Sequence, residues 1–242
     1  MSSDSPQSII ALAGIRYRWR PNAPVVLDVE QLDIAPGERL FIRGPSGSGK
    51  TTLLGIMGGV LTPGSGHVHL AGSDLATLSA AARDRLRANE IGFVFQMFNL
   101  IPYLSVLDNV LLPCRFSRKR SERAAADREP AAEARRLLAR LGLSEAALLT
   151  RDVAELSMGQ QQRVAVARAL IGRPGIVIAD EPTSALDVDS RDEFLELLQE
   201  ECTASGAALL FVSHDVSLAH HFDRTLDMRM LNRALDGEAD SS

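Results

Sequence analysis

Lysine is nearly missing from this chain: of its 26 Lys and Arg residues only two, Lys50 and Lys119, are lysine. A protein that draws nearly all its positive charge from arginine has no routine use for Lys50, so that position asks for its own reason. Cysteine is equally scarce. Cys114 and Cys202 form neither a metal-ligand spacing nor a disulfide framework, which points to a reducing compartment. No apolar stretch approaches the roughly 20 residues that would span a bilayer. The N-terminal MSSDSPQ lacks a basic segment followed by an apolar run, so no secretory signal is expected. Excess positive charge is also absent. A formal net charge of -5 argues against a nucleic-acid binder that relies on a whole-protein positive field. The local basic run 115–123 reads first as a solvated loop, with a contact surface as the alternative. These absences together describe a soluble, cytoplasmic protein with no nucleic-acid partner, free to dock on a membrane protein.

What is present fits a globular α/β chain. The 242 residues, 45% hydrophobic and 24% charged, suffice for one sizeable core or a core with a satellite subdomain. Alternation over 9–19 and 24–34 predicts strands, and 39–43 a short buried one before a glycine-rich loop. A helix is expected over about 50–60, another near 79–89, and a third near 100–112, whose limits Pro102 and Pro113 blur. IGFVF at 91–95 reads as a strand. The charged stretch 117–129 is the best candidate for a mobile connection. Pro130 suits a helix start, with Leu137, Leu138 and Leu141 on one face. GIVIA at 175–179 and AALLFV at 207–212 are continuously apolar, as strands covered on both faces of a parallel sheet are. The last dozen residues look frayed.

The answer to Lys50 lies in GPSGSGKTT, residues 44–52. A triphosphate needs many donors brought close. Gly44, Gly47 and Gly49, with Pro45, Ser46 and Ser48 between them, let successive amides turn inward as an anion nest, and the helix that follows adds its positive dipole end. A compact ammonium on a flexible stem fits among β- and γ-phosphate oxygens where a planar guanidinium is too wide. Thr51, followed by Thr52, offers a hydroxyl to Mg²⁺. The spacing G-x-x-x-x-G-K-[ST] follows a predicted strand and precedes a predicted helix, as the motif requires. A second strand end, IVIADE, brings Asp180 and Glu181 together: one carboxylate for a metal, the next for polarising water. Alone the pair would read as a solvated turn; beside a phosphate loop it reads as a nucleoside triphosphatase.

LSMGQQQR at 156–163 precedes a helical run and resembles the signature of ATP-binding cassette (ABC) ATPases, usually written L-S-G-G-Q. Gln96 matches that family's Q-loop, SALD at 184–187 its D-loop, and His214 its switch histidine, all in the family's order. The resemblance implies a single cassette: a RecA-like, mainly parallel sheet core and an antiparallel β subdomain (about 9–95 and 171–231), with a helical subdomain (about 97–168). It implies ATP and Mg²⁺ as ligands. Lys50 and the loop amides would take the phosphates; Thr51, Gln96 and Asp180 the metal. Glu181 would be the general base and His214 the γ-phosphate contact. Ser157, Gly159, Gln160 and Asp187 would close over the nucleotide of a facing cassette, in a homodimer or a paired dimer. An aromatic ahead of the core stacks on adenine, Trp19 or Tyr17, with Trp19 favoured because it directly precedes the Pro21-Asn22 turn. Met158 departs from the family glycine, which puts the tightness of closure in question.

The segment 93–113 (FVFQMFNLIP … LDNVLLP) is similar to the lipoprotein-releasing and macrolide-exporter subgroup. This implies a membrane permease partner, peripheral attachment to the inner membrane face, and docking of a coupling helix on Phe98, Leu100, Ile101 and Tyr103. The competing expectation is a non-transport ABC ATPase of a cell-division or envelope complex.

Overall fold

The computed structural model describes residues 8–235 apart from Ala185 and Asp187, and without the side chains of residues 188–190. In chain order the elements begin with β1 (Ile10–Tyr17), β2 (Leu27–Ile34), β3 (Arg39–Arg43), α1 (Lys50–Met57), β4 (Ser65–Leu70), β5 (Ser73–Asp74), α2 (Ala80–Glu90) and β6 (Ile91–Val94). Then come α3 (Val106–Phe116), α4 (Arg118–Ala124), α5 (Pro130–Arg140), α6 (Ala146–Leu149) and α7 (Met158–Leu170). The last are β7 (Ile176–Asp180), α8 (Val188–Ser205), β8 (Ala208–Val212), β9 (Arg224–Asp227) and α9 (Met228–Leu231). They form two compact units, one running up to Arg87 and resuming at Leu210, the other Ala88–Leu209. Among the described residues no helix is long and apolar enough to cross a membrane.

In the first unit, β2, β1, β4 and β5 make an antiparallel sheet in that order. Period-two alternation sets its register: Ile10 faces Ile34 and Leu70, and Leu12 faces Leu32 and Val68, all of them buried. The same unit pairs β3 with β9 in parallel, Leu40 opposite Arg224 and Ile42 opposite Leu226. Around β3, the rings of Phe41, Phe211 and Phe222 lie with centroids 5.2 to 6.2 Å apart. This is aromatic packing that fixes the strand leading into the glycine loop.

In the second unit β6 and β7 pair in parallel, Ile91 opposite Ile176 and Val94 opposite Ala179. Every residue of β7 but Asp180 is buried, as its unbroken apolar run requires. Helix α7 crosses β6 so closely that a Cβ on Gly92 would collide with the Ala169 carbonyl. Leu137, Leu138 and Leu141 are buried together, as their spacing predicts.

Four expectations are corrected. The segment 117–129 is not a mobile connection: Ser117 caps α4 through its hydroxyl, which accepts from Arg120 N at 3.0 Å. Nor is the basic run a solvated loop or an open cationic patch. Arg120 is buried and donates to the carbonyls of Ile91, Ala169 and Ile171, and burial pushes its guanidinium down to about 10. Lys119 and Arg123 meet the buried Glu90 carboxylate at 2.5 and 3.3 Å, Arg115 meets Asp108, and Arg118 meets Glu122. The third predicted helix runs later than expected, with Pro113 inside it. The Ser105 hydroxyl, accepting from Asp108 N at 3.0 Å, sets the start of α3. The ladder bond that Pro113 cannot donate does not end the helix, because its own carbonyl still receives Ser117 N at 2.9 Å. Of the C-terminal dozen, residues 231–235 are not frayed but helical in part, with Asn232 fully buried; residues 236–242 lie outside the described ones.

Candidate functional site

The first unit carries the glycine loop between β3 and α1. Gly47 and Gly49 have φ of 80° and 92°, left-handed backbone that favours glycine. Gly49 caps α1 in that conformation, and no side chain caps the helix among the described residues. The first turn, Lys50-Thr51-Thr52, contains no acid, so its amides and dipole present unbalanced positive character. Lys50 Nζ donates to the carbonyls of Gly44 (2.7 Å) and Pro45 (3.0 Å), which bends the ammonium back over the loop. Pro45, Ser46, Gly47 and Thr51 are exposed, while the Ser48 and Thr52 side chains are buried, so the latter two can offer an anion only their backbone. A donor-rich, acid-free loop with one hydroxyl beside one ammonium is the donor set a magnesium-bound polyphosphate needs.

Asn232, a residue the motifs do not reveal, fastens this loop from the far end of the chain. Its Nδ2 donates to the carbonyls of Ser48 (3.1 Å) and Val26 (2.9 Å), and its Oδ1 accepts from Asp28 N (2.9 Å). Asn232→Ala leaves these buried groups unpaired. It is expected to weaken ATP binding about three- to ten-fold, the equivalent of losing one or two hydrogen bonds, and to lower the melting temperature, read by calorimetric titration and thermal unfolding.

Tyr17 and Trp19 meet edge-on with centroids 5.2 Å apart. Trp19 lies two residues beyond the end of β1. It is 60% exposed against 9% for Tyr17, so the open aromatic surface belongs to Trp19 with Tyr17 behind it. His214 is exposed just past β8.

The second unit carries the other motifs. Asp180 ends β7 half-buried, and Glu181 follows at φ 48°, a left-handed conformation costly for a side-chain-bearing residue (about 1–3 kcal/mol) and typical of functional positions. Ser184 N bonds back to Glu181 O at 3.3 Å, closing the turn. Gln162, wholly buried on α7, donates to Pro182 O at 2.5 Å and holds the same turn. At the N-terminus of α7, Ser157 and Gln160 form a reciprocal capping box: Ser157 N donates to Gln160 Oε1 (3.0 Å) and Gln160 N to Ser157 Oγ (3.3 Å). Gln160 is thereby committed to the helix, and the Ser157 hydroxyl proton is left to donate. Met158 is exposed, and beside Gly159 there is open space where a Cβ would project. Gln96 is exposed in the turn after β6. Asp187 lies outside the described residues. Phe98, expected on an open docking face, is 3% exposed and so cannot serve there; Met97 and Tyr103, 76% and 77% exposed, are the open apolar groups of that segment.

Among the described residues no group of three or more His, Cys, Asp or Glu could hold a metal alone. Magnesium, which keeps waters and phosphate oxygens in its shell, needs only one or two protein ligands.

A buried strand, a glycine loop holding one lysine and a helix N-terminus without a side-chain cap, in that order, define a phosphate-loop nucleotide-binding protein. Residues 27–184 match the family described as ABC transporter. The chain belongs to that family, as one of its ATP-binding cassettes. It is 44% identical over 213 residues to the lipoprotein-releasing system ATP-binding protein LolD of Pseudomonas syringae pv. tomato, covering 88% of this chain and 90% of that one. With LolD 2 of Caulobacter vibrioides it shares 39% identity over 224 residues, 91% of this chain and 94% of the other. Among solved structures it resembles the dimeric bacterial ABC transporter cassette MJ0796, with TM-score 0.77, 35% identity and coverage of 90% and 94%. A post-hydrolysis dimer of MJ0796 bound to ADP and Pi gives TM-score 0.75 at 34% identity, with coverage of 90% and 93%.

Proposed function

We propose that this chain is the ATP-binding and hydrolysing subunit of a membrane ABC transporter of lipoprotein-releasing type, attached to the inner membrane face through its permease. The observation that carries the reading is the 44% identity to a lipoprotein-releasing ATP-binding protein across 88% of the chain. The same likeness favours it over a cell-division ATPase.

Each residue then has a task. The amides of Gly47 to Thr51 and the Lys50 ammonium bind the phosphates, and adenine stacks on Trp19, backed by Tyr17. The Thr51 hydroxyl, the Gln96 amide oxygen and the Asp180 carboxylate supply hard oxygen donors for Mg²⁺. When bound, the metal neutralises phosphate charge and orients the group being transferred. Glu181 accepts a proton from the attacking water as the bond between that oxygen and the γ-phosphorus forms and the bond to the ADP oxygen breaks. His214 holds this water in line. The Ser157 hydroxyl and the α7 N-terminus of one protomer cover the nucleotide held by the glycine loop of its partner, which makes ATP the glue of a head-to-tail dimer. The dimeric solved cassettes to which this chain is similar support that assembly.

The permease is received on the apolar surface around Met97 and Tyr103. The test is turnover of the reconstituted transporter. Permease is expected to stimulate the wild-type cassette. Tyr103→Asp should remove about ten-fold or more of that stimulation, because a carboxylate would be desolvated at the contact, while ATP affinity of the isolated chain stays within about two-fold. Full stimulation of the variant would reject this docking face.

A further inference from the structure

Helix α7 is tied at two places to segments that bracket the reaction, and one of these ties is unusual. Arg168, in its last turn, sends Nη1 to Asn99 O (2.6 Å) and Nη2 to Phe98 O (2.5 Å). Both acceptors belong to residues in the left-handed region: Phe98 at φ 57° and Asn99 at φ 48°. Asparagine tolerates this conformation; phenylalanine does not, and two such residues in succession form a strained turn. The turn is tight. Phe98 N donates to Phe95 O at 2.9 Å and Asn99 N to Met97 O at 2.6 Å. It lies directly between Gln96 and the exposed Tyr103, and a second side chain continues the clamp: Asn109, fully buried, bonds Ile101 N and the carbonyls of Ile101 and Leu104.

Arg168 makes no ion pair among the described residues. Burial holds its guanidinium below the ordinary arginine range. A half-buried guanidinium that spends two N–H groups on the carbonyls of one turn does more than complement a helix dipole, which a fully exposed arginine would do as well. Six residues earlier, about 9 Å along a straight helix, Gln162 grips the carbonyl of Pro182, next to Glu181. One 13-residue helix therefore holds the turn after Gln96, the turn of the general base, and the anion-facing Ser157 at its tip.

We propose that Arg168 is a positioning residue that locks the strained Phe98–Asn99 turn to α7, so that permease contact at Met97 and Tyr103 moves Ser157 and the Glu181 turn as one body. The permease part rests on the function proposed above. Arg168 touches neither nucleotide nor metal and acts only through the carbonyls it holds.

The test uses the full chain, alone and reconstituted with its permease. In Arg168→Met, amide hydrogen exchange over 97–104 in the isolated chain is expected to quicken about ten-fold or more, as losing two charge-assisted bonds implies. ATP affinity and basal turnover should stay within about two-fold, while permease stimulation falls about ten-fold. Arg168→Lys, which can reach only one carbonyl well, should lie between. Unchanged exchange over 97–104 would overturn the clamp. So would a proportional loss of ATP affinity and stimulation. If permease fails to stimulate even the wild type, the function proposed above fails, and the exchange measurement still decides whether Arg168 locks the turn.

Discussion

Glu181→Gln is expected to lower steady-state ATP turnover by about 100-fold or more while leaving nucleotide binding intact. The amide keeps the size and the hydrogen-bonding reach of the carboxylate but cannot accept the proton of the attacking water. ATP then persists in the site, and because in the proposed head-to-tail dimer it lies between a glycine loop and the Ser157 end of a partner, the dimer should persist with it. Light scattering on a sizing column with ATP and Mg²⁺ is expected to show a dimer for the variant and mostly monomer for the wild type. The φ of 48° at this residue allows strain to be separated from chemistry. Glu181→Gly relieves a left-handed cost of about 1–3 kcal/mol against a glycine entropy penalty of about 0.5–1 kcal/mol, so the fold should be no less stable than wild type. Turnover should nevertheless be lost. A variant that hydrolyses ATP normally after either change would remove Glu181 from the role of base.

What the sequence made legible follows from how local each feature is. The glycine loop is a contiguous string whose chemistry is in its own amides, so its spacing, its preceding strand and its following helix could all be read directly. Strands β7 and β8 announced themselves by unbroken apolar runs, and α5 by Pro130 and its leucine face. Hidden features depend on partners far away in sequence or on backbone atoms that every residue shares. Asn232 touches the loop through Ser48 O, 184 positions away, and nothing about an asparagine near a chain end signals that. Arg120, in a run that reads as a solvated loop, and Arg168, on which no motif falls, find their acceptors in carbonyls, which leave no mark in a sequence. The subgroup resemblance puts Phe98 on an exposed docking face. Only the left-handed backbone at Phe98 and Asn99, which no residue-type preference foretells for phenylalanine, accompanies the turning of that ring inward. Signature and catalytic motifs could be located by resemblance; the two α7 side chains that hold the Gln96 and Glu181 turns could not.

Lys50 carries the second large effect, and the near-absence of lysine elsewhere makes its chemistry specific. Lys50→Met is expected to weaken ATP binding by about 10- to 100-fold, the range that removal of one charge-assisted partner corresponds to. Lys50→Arg should do little better, although it conserves charge. In the structure the ammonium already satisfies two loop carbonyls, of Gly44 at 2.7 Å and Pro45 at 3.0 Å, and its third N–H remains to meet a phosphate oxygen. Three donors on one tetrahedral nitrogen can divide in this way. A guanidinium holds its donors in one wide plane and cannot bond two carbonyls on one side of a narrow loop while meeting phosphate on the other. Neither substitution touches the core, since Gly44 and Pro45 lie in a partly exposed loop, and thermal unfolding without nucleotide should shift by only a few degrees. The two variants therefore separate charge from shape. If Lys50→Arg bound ATP as tightly as wild type, positive charge alone would account for the residue, and the compact ammonium would lose its claim to this loop.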